Sequence, residues 1–158
     1  MKRFRATPAG ITVSFTHDEA AALADMAAQL EALLGGYEQR DGDAALERLL
    51  PDGYRDNPED AEEFRRYTQV ELVDEKVASA RIIIDSLARR TADGKVQLVL
   101  TSTEAFAWLR SLNDIRLALA ARLGIVDDRF RPAINDNDYA IYAWLGQVQY
   151  SLLRAVDR

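Results

Sequence analysis

Apolar and polar residues follow two different periods along the chain, one typical of strands and one typical of helices. Residues 2–7 and 11–15 alternate around Pro8-Ala9-Gly10, a tripeptide typical of a turn. A third alternating run, residues 95–100, follows Asp93-Gly94. Because an isolated hairpin is marginal in water, these segments predict one small antiparallel β-patch, an N-terminal hairpin plus a strand near 95–100.

Apolar residues at spacings of three and four predict helices in the rest of the chain. The first helical pattern stops at Gly35-Gly36, the second at Pro51, and the one that contains Trp108 at Gly124. The predicted helical segments are 19–34, 44–50, 58–67, 70–90, 108–123 and 141–156. The buried seam of the segment 70–90 is expected to begin at Val70, and residues 129–138 are expected to form a loop. With 158 residues, the chain holds enough apolar material for one core. The sequence therefore predicts a mainly α fold, a single-domain helical bundle over residues 1–158 with the small β-patch.

The motif T-x-x-E occurs twice, each time between a strand-like run and a helical pattern. Its members are Thr16 with Glu19 and Thr101 with Glu104. In a capping box the Thr hydroxyl accepts a hydrogen bond from a free amide of the first turn, and the Glu carboxylate reaches back to the cap amide. A symmetric site of paired carboxylates is the alternative. Capping is the favoured interpretation, because it already occupies both glutamates.

Charge is unevenly distributed along this chain of net charge −6. Residues 38–63 hold ten acidic residues against three arginines, which predicts a loosely ordered acidic segment. The basic clusters are Lys2/Arg3/Arg5 and Arg89/Arg90. Since nucleic-acid binding depends on a basic face, direct DNA binding is not expected. No internal apolar run reaches 18 residues, so neither a membrane span nor a location other than the cytoplasm is expected.

The residues that usually carry catalysis are sparse. The chain has no cysteine, which excludes disulfides, thiol nucleophiles and thiolate metal sites. His17 is the one histidine, and its place at the start of a predicted helix indicates a solvated side chain. Phosphate-binding loops and the nucleophile-elbow motif do not occur. We therefore predict no catalytic residue, no metal site and no cofactor, and expect that the chain is not an enzyme.

The stretch 109–119, LRSLNDIRLAL, combines polar and apolar positions on one helix. Asn113 and Arg116 lie three residues apart and so share a side of it. A planar guanidinium beside a carboxamide suits a carboxylate, either from a ligand or from the helix at 70–90. A structural ion pair with that helix is the favoured interpretation, and the candidate partners on it are Glu71, Asp74 and Glu75.

The last predicted helix carries apolar or aromatic residues around most of its circumference. Outside its core positions these are Tyr139, Tyr142, Trp144, Tyr150 and Leu153. Such a helix lies either at the centre of a bundle or against a partner, and both interpretations stay open. Tyr142 and Tyr150 are the candidate interface residues, since tyrosine is enriched at interface hot spots.

Four segments together resemble a known family along nearly the whole chain, in order. They are RLLPDGYRD (48–56), ELVDEKVASARIIIDSL (71–87), LVLTSTEAFAWLRSLNDIRLALAARLGI (98–125) and YAWLGQVQYSLL (142–153). The chain thereby resembles an actinobacterial family of unknown function that includes the oxidative-stress transcriptional regulator AosR, usually encoded beside the Clp protease adaptor. Asn113, Asp114 and Arg116 match the family's N-D-(I/L)-R pattern, and Tyr54 and Arg55 belong to its L-P-D-x-Y-R pattern.

The resemblance implies a transcription-linked stress regulator that acts through protein contacts. Some members carry a redox-sensing cysteine pair, but that property does not transfer to a chain without cysteine. The sequence thus predicts an interaction module with a partner in the transcription or Clp machinery, and a homodimer is a further possibility. One alternative is a small-ligand binder or enzyme with a pocket at Tyr54, Glu71, Asn113 and Arg116. Another is a helix-turn-helix DNA binder.

Overall fold

Three strands and five α-helices make up the computed structural model, which describes residues 1–51, 58–89, 94–127, 129–130 and 136–158, with only the backbone at 58–61 and 65. The strands are β1 (Lys2–Thr7), β2 (Gly10–Thr16) and β3 (Lys95–Leu100). The helices are α1 (His17–Gly35), α2 (Ala44–Leu49), α3 (Pro58–Leu87), α4 (Ser102–Leu123) and α5 (Asn137–Val156). This arrangement confirms the predicted mainly α fold with a small β-patch.

The sheet is antiparallel throughout, with the strand order β1-β2-β3. Val13 pairs with Leu98 and Phe15 with Val96, so the buried positions of β2 and β3 lie on the same face. That face packs on the helices, whereas the other carries mainly polar residues, as period-two alternation requires. The predicted hairpin and third strand are both confirmed.

Helix α3 differs from its prediction in two respects. Two helical segments, 58–67 and 70–90, were expected, but one helix runs from Pro58 to Leu87, because neither glycine nor proline interrupts residues 59–87. Val70 was assigned to the core seam, and this is wrong, since it is 50% exposed. At 1.5 Å per residue α3 is about 45 Å long and α1 only about 28 Å. The N-terminal part of α3 therefore extends past its neighbour, and Val73 is the first buried residue among those of α3 whose side chains are described.

Both T-x-x-E motifs form capping boxes in the structure. The Glu19 amide donates to Thr16 Oγ1 at 3.2 Å, and the Thr16 amide donates to Glu19 Oε2 at 2.9 Å. The corresponding distances for Thr101 and Glu104 are 3.1 and 2.9 Å. Each box joins a strand directly to the helix that follows it, which confirms the capping interpretation.

Replacing Thr101 with alanine is expected to lower the free energy of unfolding by about 1 kcal/mol, because the first turn of α4 loses a hydrogen-bond acceptor. Chemical denaturation measures the change. Thr103→Ala is the matched control, since Thr103 is exposed on the same turn and caps nothing. Equal stability of the two variants would contradict the assignment of Thr101 as a functioning cap.

The core lies between the inner face of the sheet and α4. Trp108 of α4 is fully buried, and its ring stacks on Phe15 with the ring centres 6.0 Å apart. Phe4 meets both rings edge-on, at 6.0 and 6.1 Å. Helix α4 packs against α2, α3 and α5 in addition, so one cluster of buried residues connects the sheet to all these helices.

Part of the acidic segment 38–63 has regular structure. Residues Tyr37–Gln39 form a turn of 3₁₀-helix, and α2 begins after Asp43, whose carboxylate accepts hydrogen bonds from the amides of Ala45 and Leu46. Ala45, Leu46 and Leu49 are buried. Residues 52–57 lie outside the described residues, so loose order there stays a prediction. Residues 131–135 of the predicted loop at 129–138 also lie outside the described residues. Helix α5 begins at Asn137, so the end of the predicted loop is helical.

Candidate functional site

A groove of ≈ 1390 Å³ lies between β1 and α5, and it is the candidate functional site, called here the β1–α5 groove. Strand β1 forms one wall and helix α5 the other. Phe4, whose ring belongs to the core, lies between them. The lining residues are Met1, Arg3, Phe4, Arg5, Ala6, Glu19, Ala143, Trp144, Gly146, Gln147, Tyr150, Ser151, Arg154, Ala155 and Arg158.

A β-bulge shapes the strand wall of the groove. Lys2 pairs with Ser14 and Arg5 with Thr12, so two residues, Arg3 and Phe4, lie opposite the single Val13. A bulge of this kind changes the direction of the side chains around it. The Phe4 amide donates to Ser151 Oγ of α5 at 3.0 Å, which ties the edge strand to the helix at this point.

Helix α5 has three sides with different surroundings. Leu145, Val148 and Leu152 are fully buried in the core. A second side, with Tyr142 and Gln149, faces α4. The third side lines the groove with Ala143, Gln147, Tyr150 and Arg154, at spacings of three and four, and Arg158 lines it just after the helix ends. Tyr150 is 61% exposed, so the groove combines a large accessible aromatic ring with arginine side chains.

Four arginines line the groove. Arg3, Arg5, Arg154 and Arg158 are exposed, and none of their guanidinium groups forms an ion pair within the described part of the chain. The acidic residue of the lining, Glu19, is already paired with the N-terminal ammonium at 2.8 Å. The groove therefore carries guanidinium charge that no ion pair neutralises in the described part of the chain.

The pKa of Glu19 agrees with this pairing. Partial burial raises the pKa, but the hydrogen bonds from the terminal ammonium and from Thr16, together with the ammonium charge, outweigh burial and bring it below the usual value. Glu19 is thus ionised at neutral pH and committed to its cap and to the ammonium. It does not compete for the arginines.

Asp114 and Arg116 of the N-D-I-R motif point to different neighbours. Asp114 is buried, and its carboxylate accepts a hydrogen bond from Lys76 Nζ of α3 at 2.7 Å. Burial raises the pKa of Asp114 above its usual value, although the Lys76 ammonium and the Arg110 charge lower it. Asn113, which precedes Asp114, is exposed. The motif thus supplies an ion pair between α4 and α3, but the carboxylate comes from α4 and the cation from α3, the reverse of the predicted polarity.

Arg116 is held by α5. Its guanidinium lies 4.6 Å from the centre of the Tyr142 ring, and Nη1 donates to Gln149 Oε1 at 3.0 Å. Gly146 makes room for it, since a Cβ atom there would lie 3.2 Å from Nη2. Nε is buried without a hydrogen-bond partner in the described structure. The prediction that Glu71, Asp74 or Glu75 binds Arg116 is therefore wrong.

The predicted site residues that the structure describes lie in different parts of it and do not form one site. Tyr142 is half-buried, with its ring under the Arg116 guanidinium and tilted against the Tyr139 ring. Tyr150 is accessible in the β1–α5 groove. Tyr54 and Arg55 lie outside the described residues. Glu71 and Asn113 are exposed while Arg116 is engaged by α5, so these three described members of the predicted pocket do not meet around the guanidinium.

The groove itself was not predicted as a site. Lys2, Arg3 and Arg5 were recognised as a basic cluster, but Arg154, Arg158 and Ser151 were missed. The repeat Tyr150, Arg154, Arg158 at a spacing of four was the available signal, since such residues share one side of a helix. That this side meets β1 depends on contacts between residues about 150 positions apart, as the Phe4–Ser151 hydrogen bond shows.

Where the structure is described, no three His, Cys, Asp or Glu residues are grouped to hold a metal ion. Among the helices described, none combines the length and the apolar character that a membrane span requires. His17 is exposed at the first position of α1, as expected of a solvated histidine.

Comparison with known proteins identifies the family of the chain. Residues 1–156 match a family described as a domain of unknown function (DUF2017). The chain belongs to this family. Relatives named "Oxidative stress regulator AosR" in Mycobacterium bovis and Mycobacterium tuberculosis are 36% identical over 113 residues, which cover 61% of this chain and 50% of theirs. The resemblance found in the sequence is confirmed.

A relative from Mycobacterium leprae is 30% identical over 154 residues, covering 81% of this chain and 66% of its own length. The chain spans about half the length of the first relatives that it matches. No solved structure matches the chain.

Proposed function

We propose that this chain is a regulatory domain of an oxidative-stress response, and that it works in the cytoplasm by binding another protein without catalysing a reaction. The name of the mycobacterial relatives supports the connection to oxidative stress. The observation that supports the binding part is the β1–α5 groove, with its exposed Tyr150 and with arginines that form no ion pair among the residues described. Tyrosine and arginine are the residues in which interface hot spots are enriched.

The composition supports a division of labour between sensing and binding. With no cysteine in its 158 residues, the chain has no thiol to oxidise. A thiol-based sensing step therefore belongs to another segment or another protein, and the role of this domain is the contact that transmits the response.

The expected partner is a component of the transcription or Clp machinery, following the family resemblance. The net charge of −6 opposes direct DNA binding through long-range repulsion. A second copy of the chain is the alternative partner, and the experiment below separates it from a foreign protein, because a self-associating chain is recovered with only itself.

Replacing Tyr150 with serine is expected to reduce partner capture at least tenfold while leaving the fold intact, since a central aromatic residue of an interface contributes about 2 kcal/mol or more and little of Tyr150 is buried. Tagged wild-type and variant chains are incubated with an actinobacterial lysate, and bound proteins are quantified by mass spectrometry. The expected wild-type result is enrichment of RNA polymerase, a sigma factor or a Clp component.

Leu153→Ser is the matched control. Leu153 is also an exposed apolar residue of α5, at 46% exposure, but it does not line the groove. Capture that Leu153→Ser preserves and Tyr150→Ser abolishes supports a groove-mediated contact. Capture that is insensitive to Tyr150, or no specific capture at all, would rule the proposal out.

A further inference from the structure

The chemistry of the β1–α5 groove specifies a class of partner. Its guanidinium groups come from both walls, with Arg3 and Arg5 on the strand and Arg154 and Arg158 on or just after the helix. A basic residue in the last turn of a helix, such as Arg154, also offsets the helix dipole. That role does not extend to Arg3 and Arg5, which belong to a strand. Positive charge from two separate elements therefore converges on one groove.

The charge of the groove opposes that of the whole molecule. The net charge is −6, whereas the described lining of the groove holds four arginines that form no ion pair with described residues and one glutamate that is already paired. Guanidinium groups bind carboxylates with strong, often bidentate hydrogen bonds. Charge complementarity thus selects an anionic occupant for this groove.

Size and apolar content select a peptide. The volume of ≈ 1390 Å³ exceeds the range of about 300–1,000 Å³ that is usual for small-molecule pockets. Tyr150 and the partly buried Trp144 add aromatic surface beside the arginines. A nucleic acid carries a dense negative charge that the acidic remainder of the molecule repels, whereas a peptide presents only a few carboxylates locally.

The backbone geometry shows which contacts are available. An extended peptide often binds by adding a strand to a sheet edge. In the middle of β1 the backbone amide of Phe4 is not available to such a strand, because it already donates to Ser151 Oγ. Recognition at this point therefore depends on arginine and tyrosine side chains, and the affinity is expected to fall as salt is added.

We propose that the β1–α5 groove binds an acidic peptide segment of the partner protein, with carboxylates on Arg5 and Arg154 and an apolar side chain against Tyr150. The inference rests on the proposed function, which needs a protein contact at the groove, and it adds the chemical class of that contact.

The test uses the purified full chain and a short fluorescent peptide of Asp, Glu, Leu and Phe. Binding is measured by fluorescence anisotropy at low and moderate salt. The comparison peptide has Asn and Gln at the acidic positions. The acidic peptide is expected to bind at least tenfold more tightly than the amide peptide, because charge-assisted hydrogen bonds are roughly twice as strong as neutral ones. Its affinity should decrease with salt.

Arg154→Glu is expected to weaken this binding at least tenfold, and so is Arg5→Glu on the opposite wall. Arg122→Glu is the matched control, since Arg122 is likewise exposed and in the last turn of its helix, α4, but lies outside the groove. It should retain the wild-type affinity. Circular dichroism confirms that each variant is folded.

A random DNA duplex in the same assay tests whether the groove binds a nucleic acid instead of a peptide. Duplex binding stronger than peptide binding and lost in Arg154→Glu would overturn the inference in favour of a nucleic acid. Absence of peptide binding, or equal loss in Arg122→Glu, would overturn it too. The proposed function is tested separately, because lysate capture that depends on Tyr150 stands even when the acidic peptide fails.

Discussion

Replacing Trp108 with alanine is expected to lower the free energy of unfolding by about 3–5 kcal/mol, the cost of a large cavity in a closely packed core. Trp108 is fully buried and in contact with both Phe15 and Phe4, and its Nε1 donates to Ser86 Oγ at 3.3 Å. The surrounding rings belong to the sheet, so they cannot close the cavity without moving β1 and β2. Urea denaturation followed by circular dichroism measures the loss.

Trp108→Phe separates packing from the hydrogen bond. It retains an aromatic ring between the sheet and α4 and loses the donor to Ser86. We expect it to retain much of the stability that Trp108→Ala loses. A loss below about 1 kcal/mol in Trp108→Ala would contradict the central place assigned to this side chain. Since Phe4 contacts Trp108 and also lines the groove, Trp108→Ala is not a suitable test of binding.

Replacing Lys76 with alanine is expected to destabilise the protein by about 3 kcal/mol at neutral pH, because it leaves the carboxylate of Asp114 buried without its partner. The Asp114 side chain is 4% exposed and that of Lys76 18%. Bulk water therefore replaces little of the lost interaction. The measurement is chemical denaturation at neutral and at mildly acidic pH.

The pH dependence of this variant follows from the pKa of Asp114, which is raised in the folded protein. A carboxyl with a raised folded pKa prefers the protonated form, so its contribution to stability is largest at low pH and is lost as the pH rises through the folded pKa. Loss of the Lys76 ammonium raises that pKa further. The difference between Lys76→Ala and the wild type should therefore be smaller in acid than at neutral pH.

Two further variants complete this test. Arg81→Ala removes the cation of the Arg81–Glu31 pair, whose arginine side chain is 66% exposed, and little change in stability is expected. The double variant Lys76→Met/Asp114→Leu replaces both charges with apolar groups and should recover most of the stability. If the double variant were less stable than Lys76→Ala, the unpaired Asp114 carboxylate could not be the cause of the stability that Lys76→Ala loses.

The local structure of this protein follows mostly from nearby residues, whereas little of the candidate site does. The helix seam through Val70 was assigned by periodicity alone, but Val70 is exposed because α3 is longer than α1. Arg116 was matched to acidic residues of α3 by charge, but it meets Gln149 and Tyr142 of α5. In both cases the spacing along a helix was interpreted correctly. The neighbouring element was not, because spacing contains no information about it.

The sequence by itself determined the elements that depend on nearby residues. Alternation set the three strands, Thr16 and Thr101 set the starts of two helices, and Gly124 set the end of one. These signals are local, since a cap or a turn is formed by residues within one helical turn. Only the tertiary structure decided that Asp114 faces α3, that Arg116 faces α5, and that Arg5 and Arg154 border one groove. Those contacts join distant parts of the chain, and the packing of the whole core determines which faces meet.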